Sequence, residues 1–313
     1  MYINDLFLWN PTIRKVLPLP RVRVTFDSHG PFSANIGFGF DSSNGDYKVV
    51  RIVHFDNFHK PQEIDIFSLS TGTWRNISHV ALPDININER ATQAFLNGAA
   101  HWVASKLPSY GGSFLIVSFH MAHEKFSQIM LPHNIMAHAS GLASMLMSSA
   151  LYFRVAKFQE SLAVIHFSGR EDNTCCIWVM KEYGVRESWT KQFYFNMAAG
   201  KFNNLAGFTR KGELLLATSD GYLVAHDPEA GRTTHLLIRG TTDQYYRHSF
   251  YANAYTESLV LLGKRFCDTG TSEESSPGAV EGRCAAEEIK NRFVTGVENE
   301  NEETSEDGEL EEE

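Results

Sequence analysis

The sequence predicts an all-β fold, a propeller-like ring of about five to seven antiparallel blades, and three observations carry that reading. One phrase recurs along the chain: an apolar strand, a short turn holding Pro, Gly or charge, then an aromatic or aliphatic residue opening a further strand. Aligned at Trp9, Phe67, Phe119, Met180 and His226, its copies lie 58, 52, 61 and 46 residues apart, a spacing that marks propeller blades and not helical solenoids. The composition agrees, with 22 Phe, 11 Tyr and 5 Trp, side chains that favour pleated, half-buried surfaces.

The first copy runs Leu6-Phe7-Leu8-Trp9-Asn10-Pro11 into Lys15 and Leu17-Pro18, and the second Ile64–Phe67 through Ser70-Thr71-Gly72 to Trp74. The third is Ile116–Phe119, His123-Glu124 and Phe126 to Leu131-Pro132; the fourth Ile177–Met180 with Trp189; the fifth Leu223–Asp227 with Pro228 and Gly231. Each later copy follows a partner segment expected to pair as strands: Ile36–Phe40 with Gly45–Val50, Ala94–Gly98 with His101–Val103, Met145–Met147 with Leu151–Phe153, and Gly207-Phe208 with Gly212–Leu216. Asn97-Gly98 is the strongest hairpin signal, because a two-residue turn of the favoured hand needs positive φ at both positions. The first copy has no partner before it. A blade incomplete at the N-terminus is therefore expected, with Ser258–Leu262 supplying a closing strand near Phe7-Leu8-Trp9, since an unclosed sheet leaves edges prone to mispairing.

Charge divides the chain into two expected regions, a β-propeller domain over residues 1–267 and a disordered acidic tail over 268–313. Glu298–Glu313 holds ten acidic residues and no Lys or Arg, so without it the formal charge rises from −9 to +1. From Asp268 onward there are six further acids against Arg283, Lys290 and Arg292, which leaves about +4 for the part ending at Cys267. Within the tail, Thr304 has Asp307 three residues on, the pattern of an acidophilic kinase site. The four cysteines, Cys175, Cys176, Cys267 and Cys284, show no CxxC spacing, which suits a reducing compartment, cytoplasm or nucleus. No signal-peptide pattern and no membrane-spanning apolar run occurs, so no membrane partner is expected.

Candidate chemistry is sparse. His120 and His123 have HxxH spacing, with His133 and His138 further on, but the set lacks the Cys pair or helix-borne Glu that zinc would use, so turn histidines are expected and no metal. Cys175 and Cys176, adjacent on a strand, are expected on opposite faces as inert thiols. Gly37-Phe38-Gly39 sits between strands, where glycine serves backbone geometry and not phosphate. The bases Arg14, Lys15, Arg21 and Arg23 read as an exposed strand face alternating with Val22 and Val24, and no nucleic-acid partner is expected. No cofactor motif is present, and no catalytic set can be assembled. A protein-interaction module is the leading class, with Asp56–Pro61, Ser105–Gly112 and Arg170–Asn173 as candidate target-binding loops. A propeller enzyme with a central site is the alternative.

Leu8-Trp9-Asn10-Pro11-Thr12, Gly37-Phe38-Gly39-Phe40-Asp41 and Asp46-Tyr47-Lys48-Val49-Val50-Arg51 together resemble the plant F-box-associated interaction domain. Leu96-Asn97-Gly98 with His101-Trp102, Ser118-Phe119 with Glu124-Lys125-Phe126, and Ile177–Gly184 with Ser188-Trp189 continue the resemblance in the family's order over roughly residues 5–265. The resemblance implies a kelch-like propeller that grips an unidentified target protein as the non-catalytic substrate receptor of a Skp-cullin-F-box ubiquitin ligase. In that family a separate N-terminal F-box binds the Skp-type adaptor. No segment here reads as that module, so adaptor binding is expected only if a missing F-box is restored. Two alternatives stay open: a truncated product, or a domain that binds partners outside the ubiquitin system.

Overall fold

Five antiparallel sheets succeed one another in the computed structural model, which describes residues 5–55, 61–82, 84–87, 92–106, 114–132, 135, 153–167, 174–197, 202–239, 255 and 257–260. An N-terminal hairpin pairs β1 (Phe7–Asn10) with β2 (Lys15–Pro18). Blade 1 is β3 (Phe32–Asp41), β4 (Asp46–Phe55), β5 (Glu63–Ser68) and β6 (Thr73–Asn76), paired in that order. Blade 2 is β9 (Ala99–Lys106), β10 (Phe114–His120) and β11 (Lys125–Met130), and the free edge of β9 is shared by two short strands, β7 (Ile85–Ile87) and β8 (Ala94–Leu96). Blade 3 is β12 (Phe153–Phe158), β13 (Ser161–Phe167), β14 (Thr174–Met180) and β15 (Trp189–Asn196). Blade 4 is β16 (Phe202–Phe208), β17 (Leu214–Thr218), β18 (Tyr222–Asp227) and β19 (Arg232–Arg239). Among the described residues the chain is thus all-β, a propeller-like ring of four blades and one two-stranded hairpin where the sequence predicts about five to seven blades, and every copy of the recurrent phrase falls at the same place. β1, β5, β10, β14 and β18 carry its apolar run, and the residue after the turn opens the next strand.

The inner strands of blades 2 and 3 read as continuous apolar runs because those blades are covered on both faces by their neighbours. In β10, Leu115, Val117 and Phe119 pack with Val50, Ile52, Ile64 and Ile66 of blade 1, while Phe114 and Ile116 pack with Phe153, Val155, Leu162 and Val164 of blade 3. A third core joins Ile165, Ile177 and Val179 of blade 3 to Leu205, Phe208, Leu214 and Leu216 of blade 4. Polar latches reinforce these contacts. Arg154 on β12 donates from Nη1 to Asn204 Oδ1 at 2.7 Å and to the Leu205 carbonyl at 3.2 Å. The aromatic residue that closes the phrase is itself a clamp: Trp74 Nε1 donates to the Pro20 carbonyl at 2.8 Å, and Trp189 Nε1 to the Met130 carbonyl at 3.0 Å.

The ring's seam lies at the N-terminal hairpin, where Asn10 holds chain from the far end. Its amide Nδ2 donates to the carbonyls of Ser258 and Val260 at 2.9 and 3.0 Å. Its Oδ1 accepts from the Tyr255 hydroxyl at 2.9 Å and from the Thr12 amide at 3.1 Å. Asn10 is 7% exposed, so this exchange of bonds is made largely away from water.

Four expectations need correction or placement. Phe153 opens β12 and does not end a hairpin; the partner hairpin of blade 3 is β12–β13, turned at Gln159 with φ 51°, while 145–152 lie outside the described residues. Arg21–Val24 is not a strand. Its burial alternates, with Val22 and Val24 inside and Arg21 and Arg23 outside, but no ladder flanks it, because alternation reports which side is covered and not which edge is paired. Ser258–Val260 does lie beside β1, held by a side chain and not by a ladder, and Leu261 and Leu262 fall outside the described residues, as does 268–313. Asn97 and Gly98 take φ 51° and 71° between β8 and β9, as the hairpin signal requires.

Two blade interfaces bury a neutral imidazole. His101, fully buried on β9, has Nδ1 at 3.2 Å from the Ala94 carbonyl, so that nitrogen carries the proton and Nε2 accepts from the Tyr183 hydroxyl of blade 3 at 2.7 Å. His54 on β4 lies beside Ile52, Leu82, Ile85, Ile87, Val117 and Phe126, where blades 1 and 2 meet. Burial pushes both imidazoles down to about 4 from 6.5. The unfolded chain therefore binds more protons than the folded one between those values, and stability present above pH 6.5 is lost as pH falls toward 4. Denaturant titrations between pH 7 and 5 are expected to show stability falling by roughly 1.4 kcal/mol per pH unit for each histidine in mid-window. His101→Gln removes about half of that slope; a slope unchanged by the substitution contradicts the assignment.

Candidate interaction surface

An aromatic platform on blade 1 is built from the alternation of β3. Gly37 and Gly39 point toward blade 2, where a Cβ on Gly37 would stand 2.6 Å from Trp102 Cζ2 and one on Gly39 would run into the Phe95 ring. Phe38 and Phe40 consequently point the other way, 42% and 39% exposed, and join Tyr47 from β4. The Phe38 and Tyr47 rings stack at 5.6 Å and 9°, and Phe40 tilts against Tyr47 at 4.9 Å. The open edge of β3 is closed by a side chain acting as a strand: Phe38 N donates to Gln93 Oε1 at 2.7 Å, and Gln93 Nε2 donates back to the Phe38 carbonyl at 2.6 Å. The rings are thereby held before any partner arrives, which lowers the ordering cost of binding.

The turn below the platform is fixed by charge. Asp41 accepts from the Ser43 amide and hydroxyl at 3.0 and 2.6 Å, and from Asn44 Nδ2 at 2.8 Å. Lys48 Nζ reaches Asp41 Oδ2 at 2.8 Å, Glu124 Oε1 at 3.0 Å and the Met121 carbonyl at 3.0 Å. Arg75 Nη2 lies 2.7 and 2.6 Å from the two Glu124 oxygens. Burial alone would raise the Asp41 carboxyl, but the bonds from Lys48, Ser43 and Asn44 outweigh it and hold the group well below the usual carboxylate range. The network ties blade 1 to the β10–β11 turn of blade 2. Further exposed apolar residues gather at the seam, Trp9, Leu259 and Val260, and on the outer strand of blade 4, where Leu237 protrudes from a bulge at φ 55°.

The residues singled out by sequence fall elsewhere. His120 and His123 sit on the β10–β11 turn with their rings stacked at 4.2 Å; His120 Nδ1 accepts from the Ala122 and His123 amides at 3.3 Å each. His133 and His138 lie outside the described residues, within which no group of three or more His, Cys, Asp and Glu is placed to hold a metal. Cys175 is buried and Cys176 partly exposed, as adjacent strand residues should be, and burial pushes the Cys175 thiol far up. Of the three candidate loops, residues 56–60, 107–112 and 170–173 lie outside the described residues, while Ser105 belongs to β9 and Pro61 is exposed. Arg23 pairs with Glu63 at 2.6 Å. Sequence reasoning missed Gln93, whose pairing with Phe38 has no local signal. It explained Gly37 and Gly39 by backbone geometry, where the neighbouring rings of blade 2 set the requirement.

Comparison with known proteins adds a pattern over the whole ring. A family model described as the F-box associated beta propeller domain matches residues 1–258. F-box protein At3g07870 of Arabidopsis thaliana is 25% identical over 289 residues, covering 79% of this chain and 64% of that protein. F-box protein CPR1 of the same plant is 27% identical over 281 residues, covering 82% of this chain and 64% of that protein. The chain thus spans 64% of the length of each of these two relatives.

Packing of β3 on blade 2 gives the platform a direct check. Gly39→Ala is expected to cost about 1–3 kcal/mol by overpacking against Phe95, read as a lowered urea midpoint at unchanged slope. Adding Phe95→Leu should recover part of the loss. A Gly39→Ala variant as stable as the parent contradicts the contact.

Proposed function

The chain belongs to the F-box associated beta propeller family, and from that membership we propose that it is a non-catalytic protein-binding module that presents a target to a Skp-cullin-F-box type ubiquitin ligase. The observation that carries the reading is the pre-set platform of Phe38, Phe40 and Tyr47: exposed aromatic rings on a rigid strand are the anchors that dominate protein interfaces. The site contributes contact area and geometry; transfer of ubiquitin belongs to other subunits of the ligase. Coupling to the Skp-type adaptor is the work of an F-box, and this domain binds the target alone. Cytoplasm or nucleus is the compartment in which it acts.

Affinity capture from plant extract under proteasome inhibition tests this. Wild-type chain is expected to recover a ubiquitin-modified protein, and Phe38→Ser/Phe40→Ser to recover it at least tenfold less well, with the melting temperature within a few degrees of the parent. A capture profile unaffected by the double substitution rules out this surface. Capture of partners carrying no ubiquitin modification, whose abundance is indifferent to the chain in cells, rules out the ligase role.

A further inference from the structure

The β1–β2 hairpin exposes Arg14 on its turn and Lys15 at the start of β2, and the turn between β16 and β17 exposes Arg210 and Lys211. These segments are remote in sequence, yet Tyr255 joins them through Thr12 and Arg210. Its carbonyl accepts from Arg210 Nη2 at 2.9 Å, and its hydroxyl lies 2.8 Å from Thr12 Oγ1. One tyrosine thus joins, across the seam, two segments that between them expose four cationic side chains. Two carboxylates lie beside these segments: Glu213, which accepts from the Thr209 hydroxyl at 3.0 Å, and the exposed Glu257, next to Ser258, whose amide donates to Thr12 Oγ1 at 3.3 Å. Arg14, Lys15 and Lys211 have no ion pair among the described residues. Like charges gathered at one place repel, and the arrangement favours an acidic occupant.

We propose that this seam is the docking site of the chain's own acidic segment, Glu298–Glu313. Charge complementarity identifies the occupant: that segment has ten acids and no Lys or Arg. Its attachment point does the same, because the described chain ends at Val260, whose carbonyl Asn10 holds 3.0 Å from its amide, two residues from Thr12. Residues 261–297 between them reach on the order of 120 Å when extended, so the tether imposes no obstacle, and linkage on one chain raises the effective concentration of the pair. Because the contacts are exposed ion pairs, salt weakens them.

Zero-length carbodiimide cross-linking of the full chain, with peptide mapping of the monomer band, reads the contact. At low ionic strength Lys15 and Lys211 are expected to link to carboxylates of 298–313, with yields falling several-fold at about 0.5 M salt. Arg14→Glu/Lys211→Glu leaves Lys15 as a reporter, and its links should drop at least threefold while the melting temperature holds. Three results overturn the proposal: links from the segment confined to Lys264 and Lys290; links spread evenly over Lys125, Lys181 and Lys191; or Lys15 links found only between molecules, which would make a second copy the occupant. Lys15 links indifferent to both salt and the double substitution overturn it as well.

Discussion

The bonds of Asn10 bring the two ends of the described chain together, and the ring depends on that junction. Every blade presents two apolar faces, and each face needs a neighbour. Blades 1 to 4 cover one another through three continuous cores, but blade 1 and blade 4 are left with one face each. On blade 1 that face has its own small cluster, Val24, Phe32 and Val53, and on blade 4 another, Ala206, Leu215, Leu223 and Ala225. Arg51 on β4, 1% exposed, donates to the Val24 carbonyl at 3.0 Å and so draws the linker after the N-terminal hairpin over blade 1. Asn10 performs the matching task for the chain arriving from blade 4. Its amide is suited to it because one small group offers two donors and an acceptor.

What was legible in the sequence follows from what the physics makes local. Strand–turn–strand units repeat because each blade solves the same packing problem, so the phrase around Phe67, Phe119, Met180 and His226 marked the third strand every time. Asn97-Gly98 was legible because positive φ restricts the residue types. Blade 3 was misread at Phe153 because an apolar residue beside another apolar stretch gives no register, and Ser161–Phe167 carries no turn signal stronger than Gln159. Arg21–Val24 was misread as a strand because one covered side produces alternation with or without a ladder. Long-range pairings were invisible: Gln93 with Phe38, His101 with Tyr183, and Tyr255 with Arg210 join residues whose proximity exists only after folding.

The function reading has the same division. Gly-Phe-Gly-Phe in β3 looked like a backbone motif, and the structure gives it two simultaneous jobs. The glycines admit Trp102 and Phe95 from blade 2, and by alternation the phenylalanines between them are turned outward. Packing demand on one face thus produces an ordered aromatic surface on the other. Rigidity is what makes such a surface useful for recognition, since side chains already held lose less freedom on binding. The ionic network of Lys48, Asp41, Glu124 and Arg75 extends that rigidity to the turn, though a network with exposed members contributes more to geometry than to net stability.

Hydrogen exchange on Asn10→Ala, followed by mass spectrometry beside a denaturant titration, tests the seam most directly. Loss of its bonds to Ser258, Val260, Tyr255 and Thr12 is expected to cost about 2–4 kcal/mol. Amides of β1 and β2 should exchange at least tenfold faster while those of β10 and β13 keep their protection. Unchanged stability together with unchanged exchange in β1 and β2 would contradict the claim that this residue holds the ring closed.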